Sequence, residues 1–115
     1  MRVLEGDQQL VRIFVGSTDK WGHQPLYRAL LERLRKEGFA GATVISGIAG
    51  FGAHSVVHTI NLLEMSTDLP ILVEVVDTEE HVQKKLLPIL DEMVSEGLVT
   101  VEKVKVLKYA AGKAP

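Results

Sequence analysis

Hydrophobic residues along this chain fall into six segments, four with the spacing of a strand and two with the spacing of a helix. The strand-like runs are rich in branched residues and cover residues 10–15, 43–48, 71–76 and 98–107. Segments of helical spacing follow Pro25 and Asp77. The order strand, helix, strand, strand, helix, strand predicts an α+β fold in which two helices cover one face of a four-stranded antiparallel sheet.

The start of the second predicted helix carries a local capping signal. Asp77 can accept a hydrogen bond from the first helical turn, and Glu80 three residues later completes a capping-box-like pair. Pro88 lies inside the helical spacing, where it lacks an amide donor and disturbs the preceding turn. We therefore expect the helix to begin after Asp77 and to kink at Pro88.

The last predicted strand changes the phase of its apolar positions. Val99 and Val101 share one parity, whereas Val104 and Val106 share the other. Because side chains of a strand alternate between two faces, a change of phase moves the apolar set to the opposite face of the sheet. The pattern predicts a bulge or a bend near Lys103.

The sheet face turned away from the helices should carry four large apolar side chains, contributed by Leu10, Phe14, Leu72 and Val76. Soluble monomers avoid an exposed patch of this kind, so it predicts self-association. The alternative is a face that is merely half-solvated, as in many antiparallel sheets. Arg12 and Glu74 lie mid-strand on the same face and could pair if strands one and three are neighbours.

Composition excludes several classes of protein. Thirteen basic and fifteen acidic side chains give a formal charge of -2, too balanced for the positive field of a general nucleic-acid binder. Cysteine is absent, which removes disulfides and thiolate sites and fits a reducing compartment. No run approaches roughly 18 apolar residues, so we expect a cytoplasmic protein without membrane insertion. The 115 residues predict one domain, with a core over residues 10–109 and a short flexible tail over 110–115.

Three glycines, Gly47, Gly50 and Gly52, lie close together at the end of the second predicted strand. Glycine permits positive φ and lets a ligand approach the backbone amides, which is one way to hold an anionic group. Strand-end glycines also serve bulges and turns. The segment therefore predicts either an anion-binding backbone or a bend, and it lacks the spacing of a Walker or Rossmann loop.

The connection over residues 50–69 is long for two strands that a short hairpin could join, which is typical of a functional loop. We expect it to be the regulatory element. His54 and His58 are four residues apart and Glu64 follows, so the segment could hold a metal ion. The alternative is that the histidines bond to the backbone or to a ligand, because two histidines without a third firm ligand match a structural zinc site poorly.

No constellation for catalysis can be recognised in the sequence. Paired carboxylates in a pocket are not legible, and four serines lack the context of a nucleophile elbow: Ser17, Ser46, Ser55 and Ser66. We therefore expect a binding protein and not an enzyme. The loop after the first strand, with Asp19, Lys20 and Trp21, could line a cleft at one end of the sheet.

Three motifs together resemble the PII-like family known as domain of unknown function 190. They are Gly-Ile-Ala-Gly-Phe-Gly over residues 47–52, Ser-Thr-Asp-Leu-Pro over 66–70 and Val-Glu-Val-Val-Asp over 73–77. Further similarity over 24–27, 41–44 and 97–100 extends the resemblance to roughly residues 10–109. Members of the family often have arginine before the Gly-Ile pair, where this chain has Ser46, which puts an anion contact at that position in doubt.

The resemblance implies a ferredoxin-like βαββαβ trimer of the PII kind, with ligand clefts between subunits. Carried over by position, the ligand residues would be Gly47, Gly50, Phe51, Gly52, His54, Lys108 and Tyr109. The implied ligand is a small anion such as an adenine nucleotide, and no further cofactor is expected. Residues 50–69 would contact a membrane channel, a transporter or an enzyme. The alternative is a divalent-metal protein like the related CutA family, with His54, His58 and Glu64 as ligands.

Overall fold

The computed structural model describes residues 4–52, 58–59, 68–110 and 112. Four long strands are present: β1 Gly6–Gly16, β2 Ala42–Ser46, β3 Pro70–Asp77 and β4 Leu98–Val106. Helix α1 spans Leu26–Lys36, and helix α2 is a continuous run of three pieces, Glu79–His81, the π-helical Val82–Leu86 and Leu87–Met93. Two-residue ladders join Lys20–Trp21 to Gln24–Pro25 and Ala49–Gly50 to His58–Thr59.

The four long strands form one sheet in the order β2–β3–β1–β4, and every neighbouring pair is antiparallel. The central pair, β1 with β3, runs in register from Gln9 opposite Asp77 to Gly16 opposite Pro70. The order of elements and the antiparallel pairing confirm the predicted ferredoxin-like βαββαβ fold.

The core lies between the helices and one face of the sheet. On that face, branched side chains of the two central strands are buried: Val11, Ile13, Val15, Ile71, Val73 and Val75. Leu30 and Leu34 of α1 and Leu86 of α2 close the core from the other side with almost no exposed surface. Alternation along β1 and β3 thus leaves every second residue on the opposite face, which neither α1 nor α2 covers.

Helix α1 follows from its apolar spacing and its ends. Its buried residues, Leu26, Ala29, Leu30 and Leu34, repeat at helical spacing along one side. Pro25 immediately precedes the helix with φ of -58°, and the last turn carries basic side chains that suit a helix C-terminus. The chain then leaves the helix at Gly38, whose φ of 80° favours glycine.

The prediction that Asp77 caps α2 is wrong, because the capping residue is Thr78. The Thr78 hydroxyl accepts a hydrogen bond from the His81 amide at 3.1 Å. Asp77 is fully buried, and its carboxylate accepts hydrogen bonds from the Thr78 amide at 2.7 Å and the Ala40 amide at 3.0 Å. Asp77 therefore ties the start of α2 to the segment that leads into β2.

The disturbance expected at Pro88 takes the form of a π-helical segment just before it. Over Val82–Leu86 the hydrogen bonds widen, and the Leu87 amide reaches back five residues to the Val82 carbonyl. A wider turn accommodates a proline ring that would crowd the carbonyl four residues earlier. Leu86 remains in the core, so the helix keeps its buried side across the irregular turn.

The bulge predicted near Lys103 is also wrong. The ladder between β1 and β4 is uninterrupted from Gly6 opposite Val106 to Phe14 opposite Leu98. The apolar phase changes within an unbroken ladder because β4 is apolar on one face at its start and on the other face at its end. Val99 and Val101 stand on the helix side of the sheet, whereas Val106 turns to the other side and is half-buried there.

Candidate functional site

The sheet face that the helices leave uncovered, called here the open face, is organised in rows that cross all four strands. The middle row is polar and runs Thr43, Glu74, Arg12, Thr100. Arg12 donates from Nε to Glu74 Oε2 at 2.9 Å and from Nη1 to Glu102 Oε1 at 2.6 Å, which confirms the predicted pairing of Arg12 with Glu74. These two hydrogen bonds, the Glu74 bond foremost, raise the pKa of the Arg12 guanidinium.

One side of the polar row is apolar and uncovered, and we call it the bare half. It is a single row running Ile45, Leu72, Phe14, Leu98 across the sheet. The two central side chains are half-buried by their neighbours, while Ile45 is 46% and Leu98 57% exposed. The bare half is therefore a continuous apolar strip of the kind that a second protein surface covers.

On the other side of the polar row, Leu4 and the residues after β4 cover the open face, and we call this the covered half. Leu4 packs here with only 3% of its surface exposed. Residues 107–110, called here the strap, follow β4 at one edge of the sheet. The Tyr109 hydroxyl donates to the Ala40 carbonyl at 2.7 Å, just before β2 at the other edge. The strap thus crosses the width of the sheet.

A depression of about 430 Å³ lies in the covered half. Its lining residues come from all four strands and both chain ends: Leu4, Leu10, Ala40, Gly41, Ala42, Thr43, Glu74, Val76, Val106 and Tyr109. Apolar walls with a few polar groups are typical of small-molecule sites. Glu74 is the charged member of this lining, and its carboxylate is paired with Arg12. The depression can therefore hold a flat apolar group whose polar edge meets Thr43, Glu74 or Tyr109.

The acceptor of the Tyr109 hydrogen bond is held in place from its other side. The amide of Ala40 donates to the buried carboxylate of Asp77, which also receives the Thr78 amide at the start of α2. Phe39, one residue earlier, packs against the ring of His81 with centroids 4.2 Å apart and the ring planes tilted by 59°. The rim of the depression at Ala40 is thus fixed to α2.

The glycine segment after β2 lies at the opposite end of the sheet from the depression. The Gly47 amide donates to the Pro70 carbonyl at 2.7 Å. A Cβ at Gly47 would lie 2.7 Å from Pro70 Cγ, and one at Gly50 would lie 3.1 Å from it. Neither Gly47 nor Gly50 has positive φ. Close packing against Pro70 therefore favours glycine strongly at Gly47 and less strictly at Gly50. A role of this segment in anion binding stays a prediction.

The residues assigned to the ligand by resemblance do not meet within one chain. Tyr109 lines the depression and Lys108 beside it is exposed, whereas Gly47 and Gly50 adjoin Pro70 at the far end of β3. The eight residues of β3 correspond to a separation of about 25 Å. Phe51 is 75% exposed and belongs neither to the depression nor to the contacts with Pro70. A site containing both groups would need two copies of the chain.

The metal-binding hypothesis falls mostly outside the described residues. His54 and Glu64 lie there, and His58 is placed by its backbone in the short ladder opposite Gly50. Among the residues that the structure describes, no group of three histidine or carboxylate side chains could hold a metal ion. The hypothesis stays a prediction.

The loop after β1 makes a hydrogen-bonded turn against the residues that precede β3. The Asp19 carboxylate accepts the Gly16 amide at 2.9 Å, and Asp68 accepts the Thr18 amide at 2.9 Å and the Ser17 hydroxyl at 3.2 Å. Lys20 and Trp21 are exposed beyond this turn. Asp19 therefore acts in the geometry of the turn, at the end of the sheet away from the depression.

Comparison with known proteins identifies the family. A family model described as DUF190, Uncharacterized ACR, matches residues 8–106. The chain belongs to the DUF190 family. A UPF0166 protein of Aquifex aeolicus is 36% identical over 107 residues, which are 93% of this chain and 98% of that protein. A UPF0166 protein of Methanocaldococcus jannaschii is 29% identical over 100 residues, which are 87% and 92% of the two chains.

Solved structures with the same fold include those of CPII, a nitrogen regulatory PII-like protein from Thiomonas intermedia. One, bound to ADP, AMP and bicarbonate, aligns with a TM-score of 0.63 and 18% identity over 90% of this chain and 97% of CPII. Another, bound to ADP, AMP and acetate, aligns with a TM-score of 0.64 and 18% identity over 92% and 94% of the chains. Within the described residues of this chain, no helix is long and apolar enough to cross a membrane.

Reasoning from the sequence missed most of the depression. Thr43 and Glu74 were assigned to strands without a ligand role, and Leu4 and Ala40 to no element, yet all four line it. A usable signal was present in β4, where the apolar phase turns toward the open face at Val106. That change of phase indicates that something covers this half of the face.

Proposed function

We propose that this protein is a PII-like regulator that binds a small anionic ligand, an adenine nucleotide in the first instance, in clefts between the copies of a homotrimer. Its role in this proposal is binding and not catalysis. The depression of the covered half, with Tyr109 in its wall, is the observation that carries the proposal. Membership of the DUF190 family and the shared fold with CPII, which was solved with ADP and AMP, support the choice of ligand.

The lining of the depression suits the base of a nucleotide better than its phosphates. Leu10, Val76 and Val106 offer apolar contacts for a flat ring, and Thr43 can donate or accept a hydrogen bond at the ring edge. None of the described lining residues is cationic. In this proposal the phosphates lie outside the depression, where they could contact Lys108, the strap residue next to Tyr109.

A second copy can supply the anion contacts that one depression lacks. Gly47 and Gly50 lie at the opposite end of the sheet, together with the exposed Phe51. When copies pack around an axis, unlike ends of neighbouring sheets can meet, and backbone amides of the glycine segment could then receive phosphate oxygens. His54, adjoining this segment in the sequence, remains a proposed ligand residue on the same basis.

Two features favour self-association. The bare half would leave Ile45 and Leu98 in water, and β4 also exposes Val99 and Val101 on its helix side. β4 is moreover an edge strand nine residues long, with an unpaired row of backbone groups. Covering apolar surface on both sides of an edge strand favours a closed assembly, and the PII-like fold makes a trimer the assembly that we propose.

The proposed regulatory segment is residues 50–69, which would contact a membrane channel, a transporter or an enzyme. The described residues at its start and just before it support a docking role. Ile48 and Phe51 are apolar, and each exposes about three-quarters of its surface. Aromatic and aliphatic side chains exposed in this way are common anchors at protein interfaces.

Calorimetric titration with ADP and AMP tests the proposal, with two variants that differ only in location. Thr43 and Thr100 stand in the same polar row of the open face, both exposed, but Thr43 lines the depression and Thr100 lies at the opposite edge. Thr43→Trp should fill the depression and weaken nucleotide binding by tenfold or more. Thr100→Trp adds the same side chain outside the depression and should bind as the wild type does.

Three results would count against the proposal. Absence of ADP and AMP binding by the wild type would rule out an adenine nucleotide as the ligand. Equal binding by Thr43→Trp and the wild type would move the site away from the depression. A monomeric mass by light scattering at micromolar concentration would remove the clefts between copies.

A further inference from the structure

The strap is attached to the fold in a different way from the strands it crosses. Each strand is held by a ladder of backbone hydrogen bonds. Within the described chain, the hydrogen bond that ties the strap to other elements is the one from the Tyr109 hydroxyl to the Ala40 carbonyl. Leu107 is 84% exposed and Lys108 is exposed as well. The strap therefore has little buried surface to hold it once that bond is broken.

The length of the strap makes the Tyr109 bond necessary for closure. The four strands span three spacings, or about 14 Å, between β4 and β2. The three residues from Val106 to Tyr109 cover about 10 Å when extended. The Tyr109 side chain covers the rest and ends on Ala40. The bond thus holds the Tyr109 side chain in the wall of the depression.

The two partners of this bond differ in freedom. Ala40 is held through its amide by the buried Asp77 carboxylate, which also binds the amide of Thr78. Tyr109 is carried by the strap, in which Leu107 and Lys108 are exposed. When the bond breaks, Ala40 stays with α2 and the strap moves.

We propose that the strap is a hinged wall of the depression, fastened by Tyr109, that opens to admit a ligand and closes over it. The part that concerns ligand entry rests on the proposed function, whereas the hinge does not. A neutral hydrogen bond contributes about 3- to 10-fold to such an equilibrium. The strap is therefore closed most of the time and opens often, since segments of this size move within nanoseconds to microseconds.

Limited trypsin digestion of the full chain measures opening at Lys108, inside the strap. Cleavage after an exposed lysine requires the segment to leave the surface, so its rate follows the population of the open state. Tyr109→Phe removes the hydroxyl and keeps the ring, and it should speed cleavage after Lys108 about fivefold. Tyr27→Phe makes the same change on α1, on the helix side of the sheet, and should leave this rate unchanged.

Cleavage after Lys103, within β4, reports loss of the whole fold and serves as the internal reference. Equal Lys108 cleavage in Tyr109→Phe and the wild type overturns the hinged strap. If Tyr109→Phe loses its fold, hydrogen exchange of the wild type decides. The amides of residues 107–110 must then exchange at least tenfold faster than those of β4, and equal protection overturns the proposal.

Saturating ADP separates the hinge from the ligand. Slower Lys108 cleavage of the wild type with ADP supports both the hinge and the proposed function. If Tyr109→Phe accelerates cleavage but ADP changes nothing, the hinge stands and the nucleotide is the wrong ligand. If ADP binds by calorimetry and Lys108 cleavage is unchanged, entry through the strap is overturned while the proposed function stands.

Discussion

The two halves of the open face are built from the same four strands, yet only one of them is finished within a single chain. In the covered half, Leu4 and the strap lie over Leu10 and Val76 and leave a depression bounded by Tyr109. In the bare half, Phe14 and its row have no covering element among the described residues. The polar row with Arg12 separates the two.

The difference between the halves indicates that one sheet face can provide both a ligand site and a surface for self-association. Chain ends that pack loosely on a sheet create a cavity, because they do not fill the space that a helix would fill. An uncovered apolar row instead requires another molecule. We therefore assign ligand binding to the covered half and self-association to the bare half. Variants can then be chosen that affect one half alone.

The largest effect is expected from a charge placed in the bare half. Phe14→Asp puts a carboxylate in the centre of the apolar row, where assembly would bury it without a partner. Light scattering should show the mass fall from that of a trimer to that of one chain. Leu107→Asp, the same kind of change on the exposed strap, should leave the mass unchanged. An unaltered trimer in Phe14→Asp would show that the bare half is not the interface.

An intermediate effect is expected where glycine is needed for packing. Gly47→Ala places a Cβ 2.7 Å from the Pro70 ring and should cost about 1–3 kcal/mol of unfolding free energy. In the covered half, a Cβ on Gly41 would meet nothing within 4 Å, so Gly41→Ala should be neutral or slightly stabilising. Thermal unfolding of both variants measures the contrast. Equal melting temperatures would contradict the close packing of the glycine segment on Pro70.

The smallest effect is expected away from the open face, at the ion pair between the helices. Arg33 donates to Glu92 at 3.0 Å, and this hydrogen bond lowers the pKa of the Glu92 carboxyl. A lowered carboxyl pKa stabilises the fold above the unfolded value of about 4.3, and this contribution is lost as the pH falls through the folded value.

Glu92→Gln should therefore flatten the acid side of the stability profile slightly. Melting temperatures measured from pH 6 down to pH 3 should fall less steeply in Glu92→Gln than in the wild type, by about 1–2 °C over the range. Glu32→Gln, an exposed change on α1, is the control. A steeper fall of the melting temperature in Glu92→Gln would contradict the lowered pKa of Glu92. A change in oligomeric mass would contradict the position of this ion pair away from the interface between copies.

The regular parts of the fold could be predicted because strand and helix periods are local properties of the sequence. Alternation along the first and third strands was enough to place Arg12 beside Glu74 and to expose Phe14 on the open face. Capping was less certain because Asp77 and Thr78 are adjacent and both suit the role. The structure uses Asp77 for a buried contact with Ala40, which no local pattern encodes.

The covered half could not be derived from local patterns. Tyr109 and Ala40 are 69 residues apart and neither lies in a periodic segment, so only family resemblance indicated Tyr109. The shift of phase was assigned to a bulge or a bend near Lys103, whereas the ladder is unbroken and places Val99 and Val101 on one face and Val104 and Val106 on the other. The packing of Gly47 and Gly50 against Pro70 could not be predicted either, because it depends on the approach of another strand.

Hydrogen exchange of the wild-type protein with and without saturating ADP tests the division of the open face most directly. With ADP bound, we expect slower exchange at residues 40–43 and 106–110, around the depression and the strap. We also expect unchanged exchange at the β1 end of the bare half, around Phe14. Protection confined to the residues around Phe14, or no change at any position, would contradict the assignment of the ligand to the covered half.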